Sequence, residues 1–208
     1  MALPTREVTD DGFERQFATN YLGPFALTGL LLPSMKQRAG SRVVTVSSGA
    51  SNQGKIEFDN LQGERVYKPM LQAYAQSKLA DLIFARELQR RLKAVGSPIL
   101  STAAHPGYAV TNLQADHLGL GNKMMLAVMK PFLSQDAAHG AFPTLYAAVA
   151  EEAVAGGYYG PDGFMEGKGY PTSAPIPKRA LDETVAKRLW LESERLTRVK
   201  FVALSDVP

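Results

Sequence analysis

The sequence predicts an α/β fold built on a parallel sheet, and three neighbouring stretches carry that prediction. Residues Ser41–Gly49 form a short β-branched run that ends in small hydroxyl residues, as buried parallel strands do. Residues Leu71–Leu92 carry apolar side chains spaced by four along one broad face, which indicates a helix. Gly96 is the expected helix stop, and Ile99–His105 is the next strand. In open α/β sheets, ligands bind at the carboxyl edge of such strands.

The first part of the chain is expected to be helical. Thr9 and Asp10 are plausible caps for a helix that runs from Asp11 to Met35. Gly23-Pro24 falls inside this helix, where a proline bends or interrupts the hydrogen-bond ladder. The polar stretch between Ser48 and Leu71 is expected to be a loop that forms one wall of a substrate cleft.

The second half of the chain contains a Met-rich piece within residues 112–134. Met124–Leu133 fits either a mobile lid over an apolar substrate or ordinary core packing. The remaining predicted elements are a helix over Gln135–Ala150, a strand over Gly156–Pro161, a loop to Pro177, and a helix from about Leu181 with Trp190 and Leu196 on its apolar side. No linker or repeat is visible, so residues 1–208 are expected to form a single domain.

Composition narrows the possible classes of function. The chain has 208 residues, 45% hydrophobic and 21% charged, which suits one core. There is no cysteine, and the three histidines lie far apart, so a metal site is not expected. The net charge of +3 is spread over interleaved acidic and basic residues, which argues against nucleic-acid binding. No apolar run is long enough for a membrane span and no signal peptide is visible, so a cytoplasmic location is expected.

Tyr74 and Lys78 are the candidates for chemistry. They lie four residues apart, so one helical turn places a phenol and an ammonium on the same side. A cation within about 4–6 Å stabilises a phenolate, and Tyr74 could then act as a general acid and base. Alone, this spacing is more often incidental. Ser48, at the carboxyl end of a predicted strand, could hydrogen-bond the oxygen of the same substrate.

These residues resemble a known active site. Ser48 followed by Tyr74-x-x-x-Lys78 is similar to the catalytic residues of the short-chain dehydrogenase/reductases. Asn20, within Phe17-Ala-Thr-Asn-Tyr-Leu-Gly23, resembles the fourth member of that tetrad, which holds a water of the proton relay. The segment from His105 to Thr111 matches the family's Pro-Gly-x-x-x-Thr motif. The surrounding residues are most similar to the retinol-dehydrogenase-like branch.

The resemblance implies an oxidoreductase that transfers a hydride between a nicotinamide dinucleotide and an alcohol, ketone or aldehyde, with an apolar substrate. Tyr74 would exchange the proton, Lys78 would assist it and bind the ribose, and Ser48 would orient the substrate oxygen. NADP(H) is expected ahead of NAD(H). The cofactor-binding residues implied by the resemblance are Tyr74, Lys78, Pro106, Gly107, Ala109 and Thr111. Ala109 replaces the usual Val or Ile, and His105 is expected to be packed rather than catalytic.

The resemblance also implies that part of the fold is missing from this sequence. The expected structure is a partial Rossmann-type doubly wound sheet with the last three strands. The Gly-rich phosphate-binding turn is absent, and Gly119-Leu-Gly-Asn-Lys-Met124 is a chance match. We therefore expect an N-terminally truncated catalytic portion that binds dinucleotide poorly and leaves the edge of its first strand open.

An alternative function is a non-catalytic remnant that serves as an interaction module. In the family, copies commonly associate through the two long helices, here Asp11–Met35 and Leu71–Leu92. The sequence therefore predicts a possible homo-oligomer through these helices, with or without catalysis.

Overall fold

The structure, a computed structural model, describes residues 1–109 and 134–204. Its main sheet contains strands β1 (Arg42–Val46), β2 (Leu100–Ala104), β5 (Tyr158–Pro161) and β6 (Pro171–Ser173). The spatial order is β1-β2-β5-β6; the first three strands are parallel and β6 is antiparallel to β5. A separate pair joins β3 (Tyr108–Ala109) to β4 (Ser134–Gln135) in parallel.

Four helical segments pack around the sheet. Segment α1 spans residues 15–31 and consists of Arg15–Phe17, a wide turn over Ala18–Leu22, and Gly23–Leu31. The others are α2 (Ala75–Ala94), α3 (Ala137–Val149) and α4 (Glu183–Thr197). Short helical turns cover Leu32–Ser34, Gly49–Gln53, Pro69–Tyr74, Phe164–Glu166, Lys178–Leu181 and Val202–Leu204.

The helices lie on both faces of the sheet, which confirms the doubly wound α/β fold. Helix α2 connects β1 to β2, and α3 packs on β1, β2 and β5 from the opposite side. Neighbouring side chains of β5 point to opposite faces of the sheet. Tyr158 joins the core under α2, whereas Tyr159 joins the cluster with Ala147 of α3. The carboxyl ends of the parallel strands therefore meet at one edge of the sheet.

Helix α2 ends where the sequence places its stop. Gly96 has φ +67°, a left-handed conformation that costs glycine little. Its N–H donates to the carbonyl of Lys93, and the N–H of Ser97 donates to that of Leu92. This pair of bonds is a Schellman cap, which satisfies the last carbonyls of the helix. The chain then enters β2 only a few residues later.

The distortion predicted near Pro24 is present, one turn earlier. The N–H of Gly23 donates to the carbonyl of Ala18, five residues back, so the helix widens over Ala18–Leu22.

The prediction that Thr9 and Asp10 cap this helix was wrong. Glu14 caps the helix by accepting bonds from the N–H groups of Gln16 and Phe17. Thr9 instead closes the preceding turn, where its hydroxyl accepts a bond from the N–H of Phe13.

Helix α4 packs against one face of each of the two helices, α1 and α2, that we expected to mediate self-association. Trp190 of α4 lies 5.3 Å from Phe25 of α1 and 5.9 Å from Phe84 of α2, between ring centroids. The homo-oligomer stays a prediction, and its surface on α1 would be the exposed side chains of Leu27, Leu30 and Leu31.

Other boundaries differ from the prediction in smaller ways. The loop expected before Pro177 contains β6, and α3 begins at Ala137 because the Asp136 side chain caps it through the N–H of His139.

Within the described strands, β1 pairs only with β2, and Val46 at its end is 44% exposed. The single domain over residues 1–208 stays a prediction. Residue Thr111, the Met-rich piece Met124–Leu133 and the chance match at Gly119 lie outside the described residues.

Candidate active site

The carboxyl end of β1 delivers Ser48 to the ligand-binding edge of the sheet. Val46 pairs with Ala104 in register, and the N–H of Ser47 donates to the carbonyl of Ala104 at 2.8 Å. The Ser47 hydroxyl donates to the carbonyl of Lys78 at 2.7 Å, which ties the strand end to α2. Ser48 is half-buried and its hydroxyl accepts a bond from the N–H of Ala50. Sheet, strand end and helix are therefore fixed relative to each other.

Helix α2 presents Lys78 next to that strand end, and Tyr74 lies just before the helix begins. Tyr74 closes the wide turn Pro69–Tyr74 and is half-buried. The ammonium of Lys78 donates to the carbonyl of Val46 at 3.0 Å and to the carboxylate of Asp81 at 2.8 Å. Its side chain is 12% exposed. Two of its three N–H donors are used in these bonds, and the charge lies directly beside the end of β1.

Asp81 is a residue that the sequence reasoning missed. It lies in the helix interior, 1% exposed, and forms an ion pair with Lys78. Burial raises the pKa of Asp81 to about 7, and the Lys78 ammonium offsets part of this rise. The signal available in the sequence was an aspartate three residues after the candidate lysine. Without the packing of α2, however, its burial could not be recognised.

Asn20 lies in the wide turn of α1 and binds the start of α2. Its amide N–H₂ donates to the Ser77 hydroxyl and to the Met1 carbonyl, both at 2.9 Å, and its oxygen accepts a bond from the Met1 amine. The Ser77 hydroxyl in turn donates to the carbonyl of Tyr74 at 2.8 Å. Asn20 is thus connected to Tyr74 through Ser77. Burial lowers the pKa of the Met1 amine, and the charge of Lys78 lowers it further.

The segment after β2 is held in a tight turn. Gly107 has φ +65°, and its N–H donates to Nδ1 of His105 at 3.3 Å. A Cβ on Gly107 would overlap the carbonyl oxygen of Gly167, so no larger residue fits this position. The N–H of Tyr108 donates to the same carbonyl at 2.7 Å, and the Pro106 carbonyl accepts a bond from Gln135. The expected packed histidine is observed, since His105 is 1% exposed.

Tyr158, also missed by the sequence reasoning, joins two parts of the site. Its ring lies 5.2 Å from that of His105, and its hydroxyl donates to the carbonyl of Ser48 at 3.4 Å. Burial raises the pKa of Tyr158 to about 12, and the neighbouring Ser51 and Ser47 hydroxyls offset part of the rise. The phenol therefore stays neutral and structural at neutral pH. The sequence identified the strand but not which of its two tyrosines faces the site.

A groove in the described part of the chain lies away from these residues. It has a volume of about 870 Å³ and includes neither Ser48 nor Tyr74. Residues of the loop before α2 line it together with Arg179 and Arg188, and the substrate cleft expected beside this loop stays a prediction. Across residues 1–109 and 134–204 there is no cluster of three groups suited to hold a metal ion. No helix in these two ranges has the length and apolar character needed to cross a bilayer.

Comparison with known proteins decides the family. A family model described as short chain dehydrogenase matches residues 1–118. The chain belongs to this family. It is 44% identical to retinol dehydrogenase 13 of Mus musculus over 194 residues, which cover 90% of this chain and 54% of that protein. The chain therefore spans about half the length of this curated relative.

Two solved structures match the fold. One, from Mycobacterium paratuberculosis and described as uncharacterised, superposes with a TM-score of 0.75 at 40% identity, over 97% of this chain and 65% of that chain. The other is a blue fluorescent protein from a metagenomic library in complex with NADPH. It has a TM-score of 0.52 at 26% identity, over 76% of this chain and 57% of that one. The retinol-dehydrogenase-like resemblance of the sequence is confirmed.

Proposed function

We propose that this chain is the catalytic portion of an oxidoreductase that transfers a hydride between NADP(H) and an apolar alcohol, ketone or aldehyde. One observation carries the proposal. The Lys78 ammonium is bonded to the carbonyl of Val46, two residues before Ser48 at the carboxyl end of β1, and Tyr74 lies one helical turn before Lys78. Family membership and a relative named for a retinol dehydrogenase support the reaction class and the apolar substrate. The cytoplasmic location expected from the sequence remains part of this proposal.

The proton is assigned to Tyr74. In the direction of reduction, its hydroxyl donates a proton to the oxygen of the substrate carbonyl as that carbon gains a hydride. In the direction of oxidation, the same oxygen of Tyr74 takes the proton back. A positioned acid or base of this kind contributes about 10²–10⁴-fold in rate. The Lys78 ammonium favours the phenolate form that Tyr74 takes once it has given up its proton.

Ser48 and Asn20 support this proton transfer. The Ser48 hydroxyl can donate a bond to the substrate oxygen, because within the described residues it acts as an acceptor, from the N–H of Ala50. Asn20 is proposed to anchor a water of the proton relay, as the family resemblance implies. Its observed bond to Ser77, which itself bonds the Tyr74 carbonyl, also keeps the start of α2 in place.

The residues present fit the nicotinamide half of a dinucleotide. Lys78 keeps one N–H direction beyond its bonds to Val46 and Asp81, which suits a ribose hydroxyl. The turn Pro106–Gly107 and strand β3, with Ala109, leave the sheet at the same edge, where backbone groups could hold the carboxamide. Thr111 is proposed to add a hydroxyl. When bound, the dinucleotide supplies or accepts the hydride. NADP(H) is proposed ahead of NAD(H) because the blue fluorescent protein is described as a complex with NADPH.

The interaction module has no specific observation in its favour. One face of each of the two helices that it would use packs against α4 within the chain. All four tetrad positions also carry the residues that catalysis needs.

The test is NADPH binding and turnover. For the 208-residue chain we expect binding weaker than about micromolar, because its sequence lacks a Gly-rich phosphate-binding turn. We therefore also propose a chimaera in which the part of the mycobacterial protein preceding its matched region is joined ahead of Met1. This chimaera should bind NADPH, by fluorescence titration, and reduce apolar aldehydes or ketones. Binding without any reduction would contradict the proposal.

Tyr74→Phe in the chimaera should reduce turnover by about 10²-fold or more while the Kd for NADPH changes little. Tyr170→Phe is the matched control, because Tyr170 is 70% exposed. Turnover retained in Tyr74→Phe would assign the proton donor to another residue.

A further inference from the structure

The loop over residues 162–169 contains two consecutive left-handed residues that are not glycine. Met165 has φ 52° and Glu166 has φ 54°. L-residues adopt this region rarely, and such strain persists where the surrounding structure holds it in place. The Met165 side chain is 75% exposed and gains nothing by burial. The Glu166 side chain, in contrast, turns inward and is 27% exposed.

The inward carboxylate meets the buried imidazole of His105. Oε2 of Glu166 lies 2.9 Å from Nε2 of His105. The contact is short but not aligned, and Nε2 has no well-directed hydrogen-bond partner within the described part of the chain. Its surroundings leave the ring little freedom. The Tyr158 ring packs on one side, and a Cβ on Gly160 would overlap Nε2 itself.

The other ring nitrogen shows where the proton of His105 resides. Nδ1 accepts a bond from the N–H of Gly107, so this nitrogen carries a lone pair. Burial lowers the pKa of His105 to about 4, and the ring is therefore neutral at neutral pH. A neutral imidazole has one N–H, which must then be on Nε2 and face Glu166. Burial also raises the pKa of Glu166.

The same loop contacts the turn after β2 at its backbone. The Gly167 carbonyl accepts the N–H of Tyr108 and lies where a Cβ of Gly107 would be. The loop thus holds this turn both through the main chain and through the Glu166–His105 pair. Loss of the carboxylate would remove the acceptor beside Nε2 and make the Nδ1–H form of His105 accessible. In that form two donors, Nδ1–H and the N–H of Gly107, would face each other.

We propose that Glu166 is a positioning residue: it selects the Nε2–H tautomer of His105 and thereby fixes the turn Pro106–Gly107 and the strand β3 that follows it. The proposed function adds one step, in which this segment holds the nicotinamide carboxamide, and only that step rests on the proposed function. Glu166 acts through His105 and does not itself contact the reacting atoms.

The first experiment reads the tautomer directly in the 208-residue chain. Two-bond ¹H–¹⁵N correlation spectra at pH 7.5 report the protonated nitrogen of each of the three histidines, and loss of a signal in His105→Gln assigns His105. We expect the Nε2–H form in the wild type. Glu166→Gln should keep it, because the amide oxygen leaves an acceptor beside Nε2. Glu166→Ala should shift His105 toward the Nδ1–H form, and the matched control Met165→Gly, which relaxes the same loop, should not.

A second measurement follows the turn. Hydrogen exchange at the amides of Gly107 and Tyr108 should be about tenfold faster in Glu166→Ala than in the wild type or Glu166→Gln. An Nδ1–H tautomer in the wild type would overturn the proposal, whatever the variants do. A tautomer and exchange rates unchanged in folded Glu166→Ala would overturn it as well.

The chimaera separates this inference from the proposed function. There, Glu166→Ala should raise the KM for NADPH by about tenfold and change kcat much less, and Glu166→Gln should restore KM. An unchanged KM in an active chimaera would overturn the positioning role while the oxidoreductase assignment stands. An inactive wild-type chimaera would contradict that assignment, and the tautomer and exchange rates would still decide what Glu166 does.

Discussion

Lys78 donates a hydrogen bond to the backbone carbonyl of Val46, 3.0 Å away, and so joins the candidate active-site helix to the last residue of β1. The bond brings a cation to the carboxyl edge of the sheet, where Asp81 balances part of its charge from inside the helix. Structural support and proposed chemistry therefore depend on the same ammonium group. Four predictions follow from this pair and from packing elsewhere in the chain; the first separates stability from activity, and the other three concern stability.

Lys78→Met should lower both stability and activity, for different reasons. It leaves the buried Asp81 carboxylate without its partner, and breaking a buried pair in this way costs about 3–5 kcal/mol at pH 8. The double variant Lys78→Met/Asp81→Asn should recover most of that loss in urea unfolding, yet the chimaera carrying it should stay at least about 10²-fold slower than wild type. Recovery of turnover together with stability would show that the charge of Lys78 is not needed for the reaction.

Asp81→Asn should change how stability depends on pH. The folded-state pKa of Asp81 is about 7, above the ordinary value of 3.8, so between these values the folded state keeps a proton that the unfolded state has lost. This group therefore makes stability fall as pH rises from about 4 to 7, by at most about 4 kcal/mol. Urea unfolding of wild type and variant at pH 5 and pH 8 should show Asp81→Asn gaining stability relative to wild type at the higher pH. A constant difference would contradict the prediction.

His105→Gln should act in the opposite sense and on the acid side. The folded-state pKa is about 4, below the ordinary 6.5, so the unfolded state binds a proton first as pH falls. Stability from this group is complete above about pH 6.5 and is lost toward pH 4, by roughly 3 kcal/mol, at about 1.4 kcal/mol per pH unit. The variant should lose this dependence. His139→Gln, at a residue whose side chain is 53% exposed, is the matched control and should retain it.

Trp190→Ala should destabilise the chain strongly. Trp190 is 2% exposed and its ring lies 4.4 Å from that of Phe201, with Arg91 above it at 4.3 Å. Truncating such a residue costs about 3–5 kcal/mol. The neighbouring Leu191 is 64% exposed, and Leu191→Ala should change the free energy of unfolding by about 0.5 kcal/mol or less. Equal effects of the two substitutions would mean that α4 does not pack on α1 and α2 in solution.

Periodicity and local signals predicted much of this fold. The apolar spacing of α2, its stop at Gly96 and the β-branched run of β1 were sufficient because each depends on neighbouring residues. The helix start at Glu14 was missed because a turn closed by Thr9 delays it, and that turn depends on contacts along residues 9–13. Strand β6 was missed because it has only three residues, Pro171–Ser173, and lies in a loop rich in glycine and proline.

The candidate site was predicted as a set of residues but not as a network. Ser48, Tyr74, Lys78 and Asn20 could be identified by family resemblance, and their roles stay predictions. The partners of these residues depend on burial and on tertiary geometry, which spacing does not reveal. Asp81 is acidic in the interior of a helix, and Glu166 has a left-handed backbone that no local motif predicts.

The contact between His105 and Gly160 also constrains how the sequence of this protein can vary among its homologues. The imidazole fills the space that a side chain at position 160 would need. Any homologue with a residue larger than glycine there should carry a smaller residue at position 105, and single replacements at position 160 should be eliminated by selection. The two positions are therefore expected to covary, which a large alignment could reveal before any protein is purified.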